Sequence, residues 1–309
     1  MSFRIATPRA AKTEPFLVGL FAVVAASALS SVGWVLEEQA IARLTPLPVV
    51  CVSNLLAGIF LILLGLRWGK GRFNDAARAI DPTFVMFSLV RCAFIGLLFG
   101  YCLTLTISTK IMFLTKIEPY VVLLIQILFY RHRTTRAHLV LLGVHVIGAV
   151  ILSTGGDVHL SADTFGDLLI FVAVVMNALL YAPSQRYSHQ MGALYANGFS
   201  QLIGGFALLP VMVWVSGNNL GFAHEQLIGW GYVLGTVAVF YVASTSLFFF
   251  SLKEVPAWLA SALRCVGPVV AAPIAWLVYN EPLSITQTFG ALIVVVTSMW
   301  MIVLEKRSQ

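Results

Sequence analysis

The sequence predicts an all-α integral membrane protein: ten transmembrane helices, arranged as two inverted five-helix repeats with both termini in the cytoplasm. Three observations predict it. Hydrophobic residues make up 59% of the 309 residues and charged residues only 10%, against about 25% charged in soluble domains. Ten apolar stretches follow one another along the chain, and each approaches the roughly 20 residues that cross a hydrocarbon core. Basic residues also fall in alternate gaps. Those at 4–12, 67–78, 131–136, Arg186, Lys253 and 306–307 share one side, while the loops of the other side hold only Arg43. The positive-inside rule places the basic side in the cytoplasm and requires an even number of spans.

Taken in order, the spans lie near 16–38, 46–66, 84–105, 110–130, 137–154, 166–186, 195–216, 227–250, 257–279 and 284–304. The first follows a basic N-terminus, but no cleavage site comes after it, so it reads as a span and not a signal peptide. The longest inner gap, 67–81, is charged and reads as a surface helix. The outer gap after the fifth span carries Asp157, Asp163 and Asp167. No gap is long enough for a soluble domain, so any activity must lie inside the bundle or at its mouths. The net charge of +6 then reflects loops facing an anionic leaflet and not a nucleic-acid partner. Cys51, Cys92, Cys102 and Cys265 all lie in apolar stretches without CxxC spacing, so neither a disulfide framework, a zinc site nor another metal or cofactor is expected. No Walker-type motif supports ATP-driven pumping by this chain alone.

The chain also repeats itself. Residues 116–130 can be laid on 265–279, which brings Pro119 onto Pro268 and Tyr130 onto Tyr279. Five spans separate the copies, so they cross in opposite directions. That is the mark of an inverted repeat, whose ligand site lies near the midplane between the halves. The halves are expected at 1–155 and 156–309.

On these residues the chain resembles the EamA-type members of the drug/metabolite transporter superfamily. The clearest match is Ser261 to Pro268, a small-residue helix with a mid-span proline, running into the turn from Leu277 to Ser284. The segment from Gly166 to Leu169 resembles the start of a second repeat. His132, Asn280 and the region of Ser53 depart from the family pattern at the first-repeat turn glutamate, the turn glycine and a span-2 arginine. The resemblance covers nearly the whole chain and implies five plus five spans and small-molecule transport, export being the commoner direction. It does not specify a substrate.

Charges inside spans need a functional explanation. Lys116 and Glu118 share the fourth span with Pro119, but at 100° per residue they do not face each other. Lys110, near the end of that span, can snorkel. Arg91 has Phe84, Phe87, Ser88, Phe94, Ile95 and Leu98 on its α-helical face and no acid. Arg264 lies among small residues of the ninth span. Three buried cations thus meet one buried anion, which suits a carboxylate or phosphate ligand. Glu118 can also pair with Arg91 or Arg264 in a purely structural bridge. If Glu37 and Glu38 turn inward the charges balance and a zwitterion fits; alternatively both acids end in water. Pro119 and Pro268 free the carbonyls of Thr115 and Arg264 and mark hinges, or plain kinks with the carbonyl bonded by a serine or threonine. Asn177 must be hydrogen-bonded. Tyr101 and Tyr241 are candidates to stack on or bond a ligand, packing being the simpler reading of each. Trp34 could line the same vestibule as Glu38, an interfacial position being the commoner reading of a tryptophan there. His138 and His145 read as packing residues, and Gly204–Gly205 as a helix contact.

The expected protein is therefore a multi-pass transporter of the bacterial inner membrane, not an enzyme. It would move a small polar metabolite, an amino acid or organic acid for example, by alternating access, in export or exchange. The substrate-binding set is Arg91, Lys116, Glu118, Arg264, Asn177, Tyr101, Tyr241 and Glu38. Its partners are the substrate, the bilayer, and a proton or counter-substrate; the sequence leaves a homodimer open. The alternative is a transporter of organic cations or drugs through Glu118, Glu37 and Glu38. Readings from other classes are a membrane enzyme acting on lipid-linked substrates and a non-transporting membrane partner.

Overall fold

The structure, a computed structural model, describes residues 13–68, 73–105, 111, 114–130, 135–154, 164–216, 224–267, 269 and 284–308. Every element among them is helical. Helix α1 (Thr13–Leu44) and helix α2 (Pro46–Trp68) are joined through Thr45 alone, whose φ of 71° is unusual for a β-branched residue. A proline at the start of α2 suits a first helical turn, where an N–H would be unbonded. The short α3 (Phe73–Arg78) occupies part of the gap predicted as a surface helix.

Asp81 caps α4 (Pro82–Ser88), its carboxylate accepting from the Phe84 N–H at 2.6 Å. The helix then runs through a π-helical segment, Leu89–Ile95, into α5 (Gly96–Leu105). A 3₁₀ turn, Thr115–Ile117, leads into α6 (Glu118–Tyr130), followed by α7 (Arg136–Thr154). Helix α8 (Thr164–Leu179) continues almost directly into α9 (Tyr181–Met191). Gly192, with φ 85°, turns the chain into α10 (Ala193–Ser216). Helix α11 (His224–Thr236), a second π segment, Val237–Ser244, and α12 (Thr245–Glu254) form one rod. Helix α13 (Ala257–Leu263) ends in a second 3₁₀ turn, Arg264–Val266, and α14 (Ile285–Ser308) closes the described chain.

Each predicted span overlaps one of these helices. Seven stretches among the described residues are long and apolar enough to cross a membrane: Glu14–Leu44, Pro46–Trp68, Pro82–Leu105, Leu168–Met191, Ala193–Val215, Gln226–Glu254 and Ile285–Glu305. The other three predicted spans, 110–130, 137–154 and 257–279, hold shorter described helices. Large apolar side chains project outward from the bundle, Trp214 at 86% exposed and Ile285 at 89%. A belt of that kind suits lipid and not water.

Helices pack in cross-pairs. Helix α1 lies along α11, the second π segment and α12; α2 lies along α10; α7 lies along α14; and α6 contacts α13 and α8. Small residues allow the closest approaches. A methyl group added to Gly33 would stand 2.5 Å from Phe240, and one added to Gly58 would stand 2.7 Å from Leu202.

The irregular segments correspond under the repeat read from the sequence. The 3₁₀ turns at 115–117 and 264–266 sit at the same offset as Pro119 and Pro268, and a π segment precedes each. A π turn loosens the backbone hydrogen-bond ladder, and the neighbouring helix supplies a donor each time. Asn54 of α2 donates to the Cys92 carbonyl at 3.1 Å, and Gln201 of α10 donates to the Tyr241 carbonyl at 2.9 Å.

Candidate functional site

The four irregular segments, the middles of α1 and α10 and the end of α8 surround a cavity of two confluent lobes. Trp34, Phe99, Asn177 and Arg264 line both. The first lobe is rich in hydroxyls, with Ser27, Ser30, Ser31, Thr115 and Ser261 around Lys116 and Glu118. The second is bordered by Arg91, Asn54, Gln201, Tyr181, Tyr241 and Phe240.

Arg264 and Glu118 belong to one bonded group. Asn177 donates to Glu118 Oε1 at 2.5 Å, and the Tyr181 hydroxyl donates to Oε2 at 2.9 Å. Arg264 Nη1 donates to the Tyr181 oxygen at 3.0 Å and stands 3.6 Å from Glu118 Oε2. Its guanidinium also lies over the Phe248 ring, 5.0 Å from the centroid. This is the Glu118–Arg264 bridge that the sequence admitted, with the half-buried Asn177 bonded to the same carboxylate. The charges of Glu118 and Arg264 cancel here.

The other two cations are not cancelled. Lys116 is buried, and its ammonium makes no hydrogen bond or ion pair with any described residue. Among the described residues Arg91 meets only neutral groups: Ser200 at 2.8 Å, Asn197 at 3.2 Å, the Cys92 sulfur at 3.2 Å and the face of Phe249 at 4.6 Å. Asn197 is held in turn by Gln201 at 3.0 Å and by Thr245 at 2.7 Å. A guanidinium has five N–H donors, so Arg91 keeps donors for a ligand in the second lobe. Arg91 is half-buried among neutral partners, and a guanidinium so placed, with donors to spare, favours anionic groups in the second lobe.

Glu37 occupies the opposite case. It is 3% exposed, and its only hydrogen bond among the described residues comes from the Tyr241 hydroxyl at 2.8 Å.

The comparisons with known proteins address the whole chain. The family model described as "EamA-like transporter family" matches residues 17–154 and again 164–303. The chain belongs to the EamA-like transporter family. It is similar to a protein named "Uncharacterized transporter" from Methanothermobacter thermautotrophicus, 23% identical over 90% of this chain and 84% of that protein. It is also similar to "Uncharacterized transporter YetK" from Bacillus subtilis, 23% identical over 72% of this chain and 69% of that one. A solved crystal structure, 16% identical, superposes at a TM-score of 0.74 over 96% of this chain and 98% of its own. At that identity it bears on the fold alone. This family member is a multi-pass membrane protein, and family and relatives alike are named as transporters, not enzymes.

Of the residues expected at the site, Arg91, Lys116, Glu118, Asn177, Tyr241 and Arg264 border the cavity. Tyr101 is half exposed and Glu38 half-buried, and neither lines either lobe. Pro119 is buried at the start of α6, and the Thr115 carbonyl before it accepts the Glu118 N–H. Pro268 and Lys110 lie outside the described residues. The Arg264 carbonyl, expected to be freed, accepts the Ser27 hydroxyl. His145 bonds Thr297 at 2.8 Å and the Ala262 carbonyl at 2.9 Å, tying α7 to α14 and α13 as a packing residue does. The sequence reading did not single out Asn54, Asn197, Ser200 or Gln201. Their signal was present as polar residues at helical spacing inside apolar spans.

Proposed function

We propose that this chain is a secondary transporter of ten spans that moves a small anionic or zwitterionic metabolite by alternating access. The halves 1–155 and 156–309 would rock against each other about the cavity between them. The double match of one family model supports the division, as do the paired 3₁₀ and π segments that border the cavity. Helices interrupted at a binding site are a recurrent transporter device. The charge asymmetry of the loops supports cytoplasmic termini, and the bacterial inner membrane with outward or exchange transport is the setting this reading adopts.

The observation that carries the reading is the state of the cavity's charges. Glu118 is already held by Arg264, Asn177 and Tyr181, whereas Arg91 and Lys116 meet no carboxylate among the described residues. The ligand's anionic end therefore goes to Arg91 and Lys116. An organic cation held at Glu118 would have to displace Arg264 from it, so that part of the alternative is disfavoured. The test is uptake and efflux of radiolabelled amino acids and small organic acids in proteoliposomes. Wild-type protein moves a member of the panel and Arg91→Ala does not. Transport confined to organic cations, unaffected by Arg91→Ala or Lys116→Ala, would refute the assignment.

A further inference from the structure

The Glu37–Tyr241 pair plays no part in holding the anion, yet it adjoins the same lobe. Glu37 lies seven residues from the end of α1, about 10 Å along the helix axis at 1.5 Å per residue. It is almost wholly buried and forms no ion pair among the described residues. The described titratable groups on the elements packed there are few. Tyr232 and Tyr241 come from α11 and the second π segment, Tyr101 and Cys102 from α5, Cys51 from α2, and Glu38 and Arg43 from α1 itself. Arg43 bonds Gln39 and lies over Tyr232. Only Tyr241 reaches the Glu37 carboxyl. Arg91, Cys92, Tyr181 and Arg264 share the second lobe with Tyr241, the last of these cations being held by Glu118.

A buried carboxylate without a cation is costly, whereas the neutral acid needs only hydrogen bonds. A phenol can serve either form, because its oxygen both donates and accepts. With Glu37 ionised, the Tyr241 O–H donates to it, and the phenol oxygen offers lone pairs to the cavity. With Glu37 protonated, the carboxyl O–H donates to the phenol oxygen, and the phenol O–H turns toward the cavity. The first state suits an ammonium group in the lobe; the second presents a donor to a donor and repels it. A proton on Glu37 and an ammonium beside Tyr241 thus exclude each other.

We infer that Glu37 and Tyr241 form a proton–ammonium exchange site, at which the amine of a zwitterion whose carboxylate sits on Arg91 displaces one proton from Glu37. The inference rests on the anion assignment made above and narrows the substrate to a carboxylate that also carries an amine. It yields antiport: one proton enters the site as one zwitterion leaves. By linkage, a ligand that releases a proton binds more weakly as the medium is acidified. An inward proton gradient then drives export.

The experiment is infrared difference spectroscopy on protein in lipid at neutral pH, following the carbonyl stretch of a protonated carboxylic acid. Glycine, L-leucine and L-phenylalanine serve as probes, each beside its 2-hydroxy acid counterpart. Wild-type protein shows the acid band, Glu118→Gln keeps it and Glu37→Gln loses it. An amino-acid probe discharges the band; its hydroxy acid does not. In Tyr241→Phe the band remains and the amino acid no longer discharges it. A band that survives in Glu37→Gln, is absent from wild type, or is discharged equally by hydroxy acids overturns the inference. Probe binding that requires Arg91 but leaves the band untouched overturns the exchange and keeps the anion site. Discharge that persists in Arg91→Ala refutes the anion site and keeps the proton site.

Discussion

At the scale of single residues, three arginine and lysine side chains that look alike in the sequence have different roles. Arg264 is bound to Glu118, so its removal should be felt first as instability. Breaking a buried pair from one side costs about 3–5 kcal/mol, whereas replacing both partners by apolar residues is often neutral. Arg264→Ala is expected to lower the unfolding temperature in detergent well below that of the double variant Arg264→Leu/Glu118→Leu. Equal losses would show that the two side chains are not energetically paired. Arg91 and Lys116 have no such partner, and their removal should spare folding while weakening the ligand. Charge-assisted hydrogen bonds contribute about 1.5–3 kcal/mol, so Arg91→Ala should raise Kd for the ligand by about tenfold to a hundredfold. Titrating purified protein with the transported solute checks this, and an unchanged Kd would move the anion site elsewhere. The neighbouring acids show where sequence reasoning stops. Glu37 and Glu38 are one residue and 100° apart, so choosing the inward one requires knowing how far α1 continues. It runs on to Leu44, and Glu37 is the buried one. Trp34 was legible as an aromatic near a helix end, but its place between Phe99 and Phe240, at 5.3 and 5.4 Å, depends on helices far away in sequence.

At the scale of elements, the helices were legible because long apolar runs and sidedness of charge depend on local composition. Their interruptions were legible only at the prolines. Reading faces at 3.6 residues per turn puts Arg91 among phenylalanines, but the π segment around it changes the register. It faces Ser200 and Asn197 of α10 instead. The donors that complete the π segments, Asn54 and Gln201, are visible in the sequence as amides inside apolar spans, but not which distant carbonyl each one bonds. Asn54→Leu removes the donor to the Cys92 carbonyl and is expected to cost about 1–3 kcal/mol. Thermal unfolding in detergent measures it, and a neutral result would mean that the carbonyl is bonded without Asn54. Gly33→Val would force α1 away from Phe240, one residue before Tyr241. Its expected outcome is loss of amino-acid-induced proton release with the helix content unchanged in circular dichroism. Retained proton release would show that this close approach does not set the Glu37–Tyr241 contact.

At the scale of the whole molecule, topology and cavity belong together. Membership in the EamA-like transporter family and the apolar outer surface agree with the composition from which the fold class was read. The arrangement of helices around the cavity was not readable, because cross-pairs such as α2 with α10 connect residues more than a hundred positions apart. Orientation has its own test. Asn218→Cys should react with a membrane-impermeant thiol reagent in intact cells, and Ser2→Cys only once the membrane is opened. The same behaviour from both would contradict the proposed topology. The central claim is that uncompensated cations make this cavity a site for small anions and zwitterions. Its most direct test is a thermal-shift screen of purified protein and Arg91→Ala against amino acids, organic acids, phosphorylated metabolites and organic cations, since a ligand of the native state raises apparent stability by mass action. The account predicts stabilisation by anions or zwitterions that disappears in Arg91→Ala; stabilisation by organic cations alone would contradict it.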